Sequence, residues 1–128
     1  MVDRATTRQI QVEVQSRYLP EKSDRERSQF LFSYQIRISN LGNEVVRLVS
    51  RHWIITDGNG RSEEVRGPGV IGQQPWIQPK TGFEYESFCP LSTPTGSMKG
   101  TYEMATEAGE SFAVEIPQFF LVEPGSFH

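Results

Sequence analysis

Phe30-Leu31-Phe32-Ser33-Tyr34-Gln35-Ile36-Arg37-Ile38-Ser39, followed by Asn40-Leu41-Gly42-Asn43, carries the pattern that decides the fold. Phe30, Phe32, Tyr34, Ile36 and Ile38 fall on alternate positions, the period of two that gives a strand one dry and one wetter face. Asn and Gly accept positive φ, so residues 40–43 read as a tight reversal. Upstream, Ile10, Val12 and Val14 alternate with Gln11, Glu13 and Gln15 and predict a first strand. The charged stretch 21–28 separates the two. Downstream, residues 45–56 read as a strand with apolar residues on both faces. Asp57-Gly58-Asn59-Gly60 predicts a hairpin turn that returns residues 61–66 antiparallel. Residues 83–89, 98–104 and 112–116 bring the expectation to about seven strands, the last two joined by Glu107-Ala108-Gly109-Glu110. Phe119-Phe120-Leu121-Val122 falls after the last alternating strand and reads as core or edge packing, with exposed apolar surface as the alternative.

The 128 residues fit one domain, with a core expected over about residues 10–122 and flexible ends. Eleven glycines and eight prolines leave little chain for long helices. An all-β, two-sheet antiparallel sandwich follows; without the Cys…Trp…Cys pattern of antibody domains, the fibronectin type III-like variant is expected. Net charge is −3, which gives no reason to expect a nucleic-acid partner. The balance is uneven, with 11 of the 13 Lys and Arg in residues 1–66 and 7 of the 16 acids against only 2 bases in residues 67–128. The single cysteine, Cys89, has no internal disulfide partner, and the start Met1-Val2-Asp3-Arg4 has no apolar signal core. No apolar run approaches the roughly 20 residues that span a bilayer. The expected location is cytoplasmic, without membrane contact.

Gly67-Pro68-Gly69-Val70-Ile71-Gly72 matches the dinucleotide-binding glycine fingerprint as a string. That fingerprint needs a buried parallel strand before it and a helix N-terminus after it. Ser62-Glu63-Glu64-Val65-Arg66 is too polar for such a strand, and Pro75 and Pro79 oppose the helix. Two readings stay open. In one, the loop offers backbone N–H groups to a phosphate beside Arg61 and Arg66, minus the donor that Pro68 lacks; in the other, its glycines serve backbone geometry alone. Gly67, Gly69, Gly72 and Arg66 are the candidate ligand residues.

No metal site and no cofactor are expected. The histidines are His52 and His128 only, and the Asp57/Asn59/Gly60 start of a calcium loop lacks its later ligands. No catalytic residues emerge either. Glu84 and Glu86 share one strand face, Ser92 and Thr93 have no adjacent histidine, and His52 reads as a packed or hydrogen-bonded strand residue. Trp76, within the Pro-punctuated loop Gln73-Gln74-Pro75-Trp76-Ile77-Gln78-Pro79, is the candidate partner contact if exposed, with core packing as the alternative.

Four stretches taken together resemble the ApaG family, a small bacterial protein whose domain also occurs in some F-box proteins. They are residues 50–60, the loop from Gly67 to Pro75, Cys89-Pro90-Leu91-Ser92-Thr93-Pro94, and residues 96–102, in family order between about Val12 and Val122. The resemblance implies a fibronectin type III-like sandwich. It also implies a link to cobalt and magnesium resistance, gene proximity to a diadenosine-tetraphosphate hydrolase, and, from the F-box proteins, recognition of partners. The family's proposed nucleotide or pyrophosphate motif falls on Gly67, Gly69 and Gly72. Many members carry an acidic residue where this chain has Pro68, a departure that weakens a metal–phosphate role. The expectation is a non-enzymatic binding module for another protein. The alternatives are a pyrophosphate or nucleotide-derived ligand at the loop, and an enzyme acting on such a ligand.

Overall fold

The computed structural model describes residues 1–126. Nine strands run in chain order as β1 (Asp3–Thr7), β2 (Ile10–Tyr18), β3 (Phe30–Asn40), β4 (Val46–Asp57), β5 (Ser62–Pro68), β6 (Trp76–Ile77), β7 (Gly82–Leu91), β8 (Thr95–Thr106) and β9 (Ser111–Val122). They build two antiparallel sheets packed as a sandwich, β1-β2-β3-β7 and β5-β4-β8-β9, with β6 beside β4. Three short 3-10 turns complete the described residues, and no helix is long and apolar enough to cross a membrane.

Alternation explains the core. Phe30, Phe32, Tyr34, Ile36 and Ile38 all point inward from β3, and Ile10, Val12 and Val14 join them from β2. From the facing sheet come Leu48, Trp53, Met98, Tyr102, Met104, Val114 and Ile116. At the centre Trp53 packs edge-on to Tyr34 and Phe119, with ring centroids 5.5 and 5.9 Å away. Each such large side chain contributes about 1.5–3 kcal/mol by leaving water. Asn40, the last residue of β3, is buried and fully bonded: its Nδ2 donates to the Glu44 and Ile77 carbonyls, and its Oδ1 accepts from the Gly42 N–H. A single amide therefore ties the reversal after β3 to β6.

The seven expected strands are present, most of them longer than expected, and two are added. β1 lies in what was expected to be a flexible end; it pairs along β2 with Ala5 opposite Val12. It also lies against β9, where the Glu115 N–H donates to Thr7 Oγ1 at 3.2 Å. Ser16 Oγ donates to the Phe120 carbonyl at 3.0 Å, so side chains close this flank of the sandwich. Residues 119–122 do not follow the last strand but belong to it. Met98 pairs with Phe119 and Gly100 with Ile116, so Pro117 and Gln118 together oppose Lys99. This bulge resets the alternation, burying Phe119 and Leu121 and exposing Phe120.

Candidate functional site

The Gly-rich loop leaves β5 at Pro68 and returns to β4 through β6. Val70 and Gln73 exchange both backbone hydrogen bonds, at 2.8 and 2.9 Å, around Ile71 and Gly72. Those two residues have φ of 43° and 77°, the geometry of a type I′ turn. Gly69 has φ of 58°, and a Cβ there would sit 2.0 Å from the Gln73 carbonyl oxygen. Only glycine fits.

The loop is fastened to β4. Register shifts between Leu48 and Ser50, making Val49 a bulge residue whose carbonyl accepts from the Gly69 N–H and from Gln74 Nε2, both at 2.8 Å. Arg51 Nη1 donates to the carbonyls of Pro68 and Gly69 at 3.0 and 2.9 Å. Arg47 Nε donates to the Gln74 carbonyl at 3.0 Å, and its guanidinium lies 5.4 Å from the Trp76 ring centroid. Leu48 N–H reaches the Pro75 carbonyl at 3.0 Å. Of the backbone donors in the glycine string, those of Gly69 and Val70 are thus committed within the fold, Gly67 pairs with Arg51 in the ladder, and Pro68 has none. Two apolar side chains of the same loop point out, Ile71 at 53% and Trp76 at 47% exposed, while Val70 and Ile77 are buried in the core.

Arg66 does not join the glycines as a free cation. It projects from the outer face of β5, 3.5 Å from Glu64, which also accepts from His52 Nε2 at 2.7 Å. The hydrogen bond from His52, and then the one from Arg66, holds the Glu64 carboxyl below its ordinary range. A groove of about 570 Å³ beside them is lined by Arg51, His52, Arg66, Gly67, Gln74 and Glu103, which brings Arg66 and Gly67 to one surface.

The remaining sequence candidates are scattered. Glu84 and Glu86 are exposed on the outer face of β7, Glu84 paired with Arg37. Thr93 is buried and structural: its Oγ1 accepts from the Gly58 N–H and donates to the Thr95 carbonyl. Ser92 lies in the β7–β8 turn. Asp57 Oδ1 accepts from the N–H groups of Asn59 and Arg61, the bonds of a hairpin turn. Among the described residues, no three His, Cys, Asp or Glu side chains gather as a metal site; His128 lies outside them. Trp76 was expected in a loop and instead forms β6, opposite Arg47. Sequence reasoning missed Arg51. It shares the inward side of β4 with Trp53 two positions on, and a charge on a core-facing parity is the signal that was available.

The interior also holds a polar pair that the sequence did not flag. The Tyr85 and Tyr102 hydroxyls are hydrogen-bonded to each other between the sheets. Burial pushes both phenols, and that of Tyr34, above their ordinary range. Burial likewise pushes the Cys89 thiol up to about 11, leaving it protonated and inert.

A two-sheet antiparallel sandwich with a glycine hairpin strapped to its fourth strand defines a small all-β domain class. Comparison with known proteins agrees: the ApaG domain model matches residues 20–106. Protein ApaG of Rhodopseudomonas palustris is 51% identical over 121 residues, covering 94% of this chain and 93% of that protein. Protein ApaG of Acidithiobacillus ferrooxidans is 52% identical over 120 residues, covering 94% of each. The crystal structure of an ApaA protein from Bordetella pertussis superposes with a TM-score of 0.87 at 50% identity, covering 90% of this chain and 94% of that one. The chain belongs to the ApaG domain family.

Proposed function

We propose that the chain is a non-enzymatic, cytoplasmic contact module that engages another protein through the Ile71 and Trp76 face of its Gly-rich loop. One observation carries this reading: Ile71 and Trp76 stand exposed on a loop whose backbone is bonded to β4 and whose Val70 and Ile77 are buried in the core. An aromatic anchor on a backbone already fixed by Arg47, Arg51 and Gln74 loses little conformational freedom when it docks. The strand order β2-β3-β7 against β5-β4-β8-β9 supports a fibronectin type III-like sandwich, a scaffold that presents loops at its ends. The pyrophosphate alternative at Gly67, Gly69, Gly72 and Arg66 is weakened because Gly69 and Val70 have no N–H to offer and Arg66 faces Glu64.

Two measurements test the proposal together. Immobilised wild-type protein captures a partner from native extract, and Trp76→Ala and Ile71→Ser lose it while their denaturation midpoints stay close to wild type. Calorimetry with pyrophosphate, ATP and diadenosine tetraphosphate, with and without Mg²⁺, gives no saturable heat. Undiminished capture by both variants overturns the contact surface. Saturable heat that Gly69→Ala abolishes without unfolding the protein establishes the ligand reading instead.

A further inference from the structure

The two sheets are not equally wide on the flank away from β1. There the first sheet ends at β7 and the second at β5. Trp53 of β4 is 3% exposed, yet Val65, its register partner on the same inward side of β5, is 37% exposed. Every residue of β5 except Gly67 is exposed, on both faces of the strand. Only a pocket of about 260 Å³ separates Ser62 and Glu63 of β5 from Pro90 and Leu91 of β7, so space beside β7 is open. The other flank has no such gap, because Thr7 and Ser16 close it against β9.

The backbone of β7 is oriented to fill that gap. The Asn40 N–H donates to the Thr81 carbonyl at 2.9 Å, which sets the phase of the β3–β7 ladder. Phe83, Tyr85, Ser87 and Cys89 then bond β3, and the N–H and C=O groups of Glu84, Glu86 and Phe88 point away from it. Among the described residues these groups have no backbone partner. An added strand would place its outward side chains beside Glu84, Glu86 and half-exposed Phe88, and its inward side chains beneath Val65 and Glu63. Arg37 neutralises Glu84. Glu63 and Glu86 have no ion pair among the described residues, so the gap presents two unpaired carboxylates, Glu86 at its mouth and Glu63 inside it beside Val65, with Lys22 over the Phe88 ring at one end.

We propose that the free edge of β7 takes up an extended basic segment of another protein as a fifth strand of the first sheet. Aliphatic residues of that segment turn in against Val65, and its Lys or Arg residues reach Glu86. This surface is separate from the Trp76 face and does not depend on it.

The probe is a capped heptapeptide, Val-Lys-Val-Lys-Val-Lys-Val, titrated into isotope-labelled protein while amide exchange is followed residue by residue. Exchange at Glu84, Glu86 and Phe88 is expected to slow by at least about tenfold. The same peptide with Glu in place of Lys, or N-methylated at its Lys residues, is expected to give no slowing. Glu86→Lys lowers the affinity about tenfold, and Trp76→Ala leaves it unchanged. Unaltered exchange at all three amides up to millimolar peptide overturns the proposal, as does slowing by the N-methylated peptide. Slowing confined to β5 or β9 does so too. Protection of these amides that grows with protein concentration alone assigns the edge to a second copy of this chain and equally overturns it.

Discussion

Replacing Gly69 by alanine tests whether the loop is locked as described. At φ of 58° an L-residue sits in the left-handed region, which costs about 1–2 kcal/mol. The new Cβ would also lie 2.0 Å from the Gln73 oxygen and 2.8 Å from its carbonyl carbon, distances no real Cβ tolerates. Relief requires opening the Val70–Gln73 pair, whose two hydrogen bonds contribute about 1 kcal/mol each. The expected loss is therefore about 3–4 kcal/mol. With a urea slope of about 1–2 kcal/mol/M, the midpoint falls by roughly 2 M. Gly72→Ala is the internal control: φ is 77°, but nothing lies within 4 Å of the added Cβ, so only the backbone cost of about 1–2 kcal/mol applies. Equilibrium urea denaturation of both variants separates overlap from conformation. Equal losses in the two would refute the reasoning, because the loop would then yield around Gly69 without cost.

Trp53→Ala is expected to lose about 3–5 kcal/mol and half-exposed Trp76→Ala under about 1.5 kcal/mol; similar losses on denaturation would contradict the burial of the first and exposure of the second. Tyr102→Phe leaves the buried Tyr85 hydroxyl without its partner and costs about 1–3 kcal/mol, whereas Tyr85→Phe combined with Tyr102→Phe recovers part of that loss; a strictly additive double-mutant cycle would count against the pair. The raised phenols of Tyr34, Tyr85 and Tyr102 make stability depend on high pH. Below about pH 10 both states keep these protons; above it the unfolded chain releases them while the folded chain holds them, so stability falls with rising pH. A urea midpoint that stays flat from about pH 8 to about pH 11 would contradict this. Cys89 is expected to react with a thiol reagent near neutral pH only after unfolding, and prompt labelling of the native protein would contradict its burial.

The β3 strand was legible because five apolar residues share one face that packs on the opposing sheet. β1 was not, because Asp3, Ala5 and Thr7 are only half-buried and need no apolar alternation to pair with β2. Residues 119–122 were misplaced by a bulge, which no local pattern announces: Pro117 and Gln118 become a pair only by opposing Lys99 on another strand. At the candidate site, glycine at positions 69 and 72 signalled positive φ, but Ile71 at φ of 43° did not, since a β-branched residue there is uncommon. The clamp was equally hidden. Arg51 meets the Pro68 and Gly69 carbonyls only after β4 and β5 pair, and the exposure of Trp76 rests on the β4–β6 ladder beneath it.

The most direct test of the contact-surface reading is site-specific photo-cross-linking from the loop itself. A photoreactive phenylalanine analogue placed at position 76, at position 71, and at Gln15 on the outer face of the first sheet is irradiated in native extract. The account predicts the same discrete protein adduct from positions 76 and 71 and its absence from position 15. No adduct from either loop position, or an identical adduct pattern from all three, would contradict it.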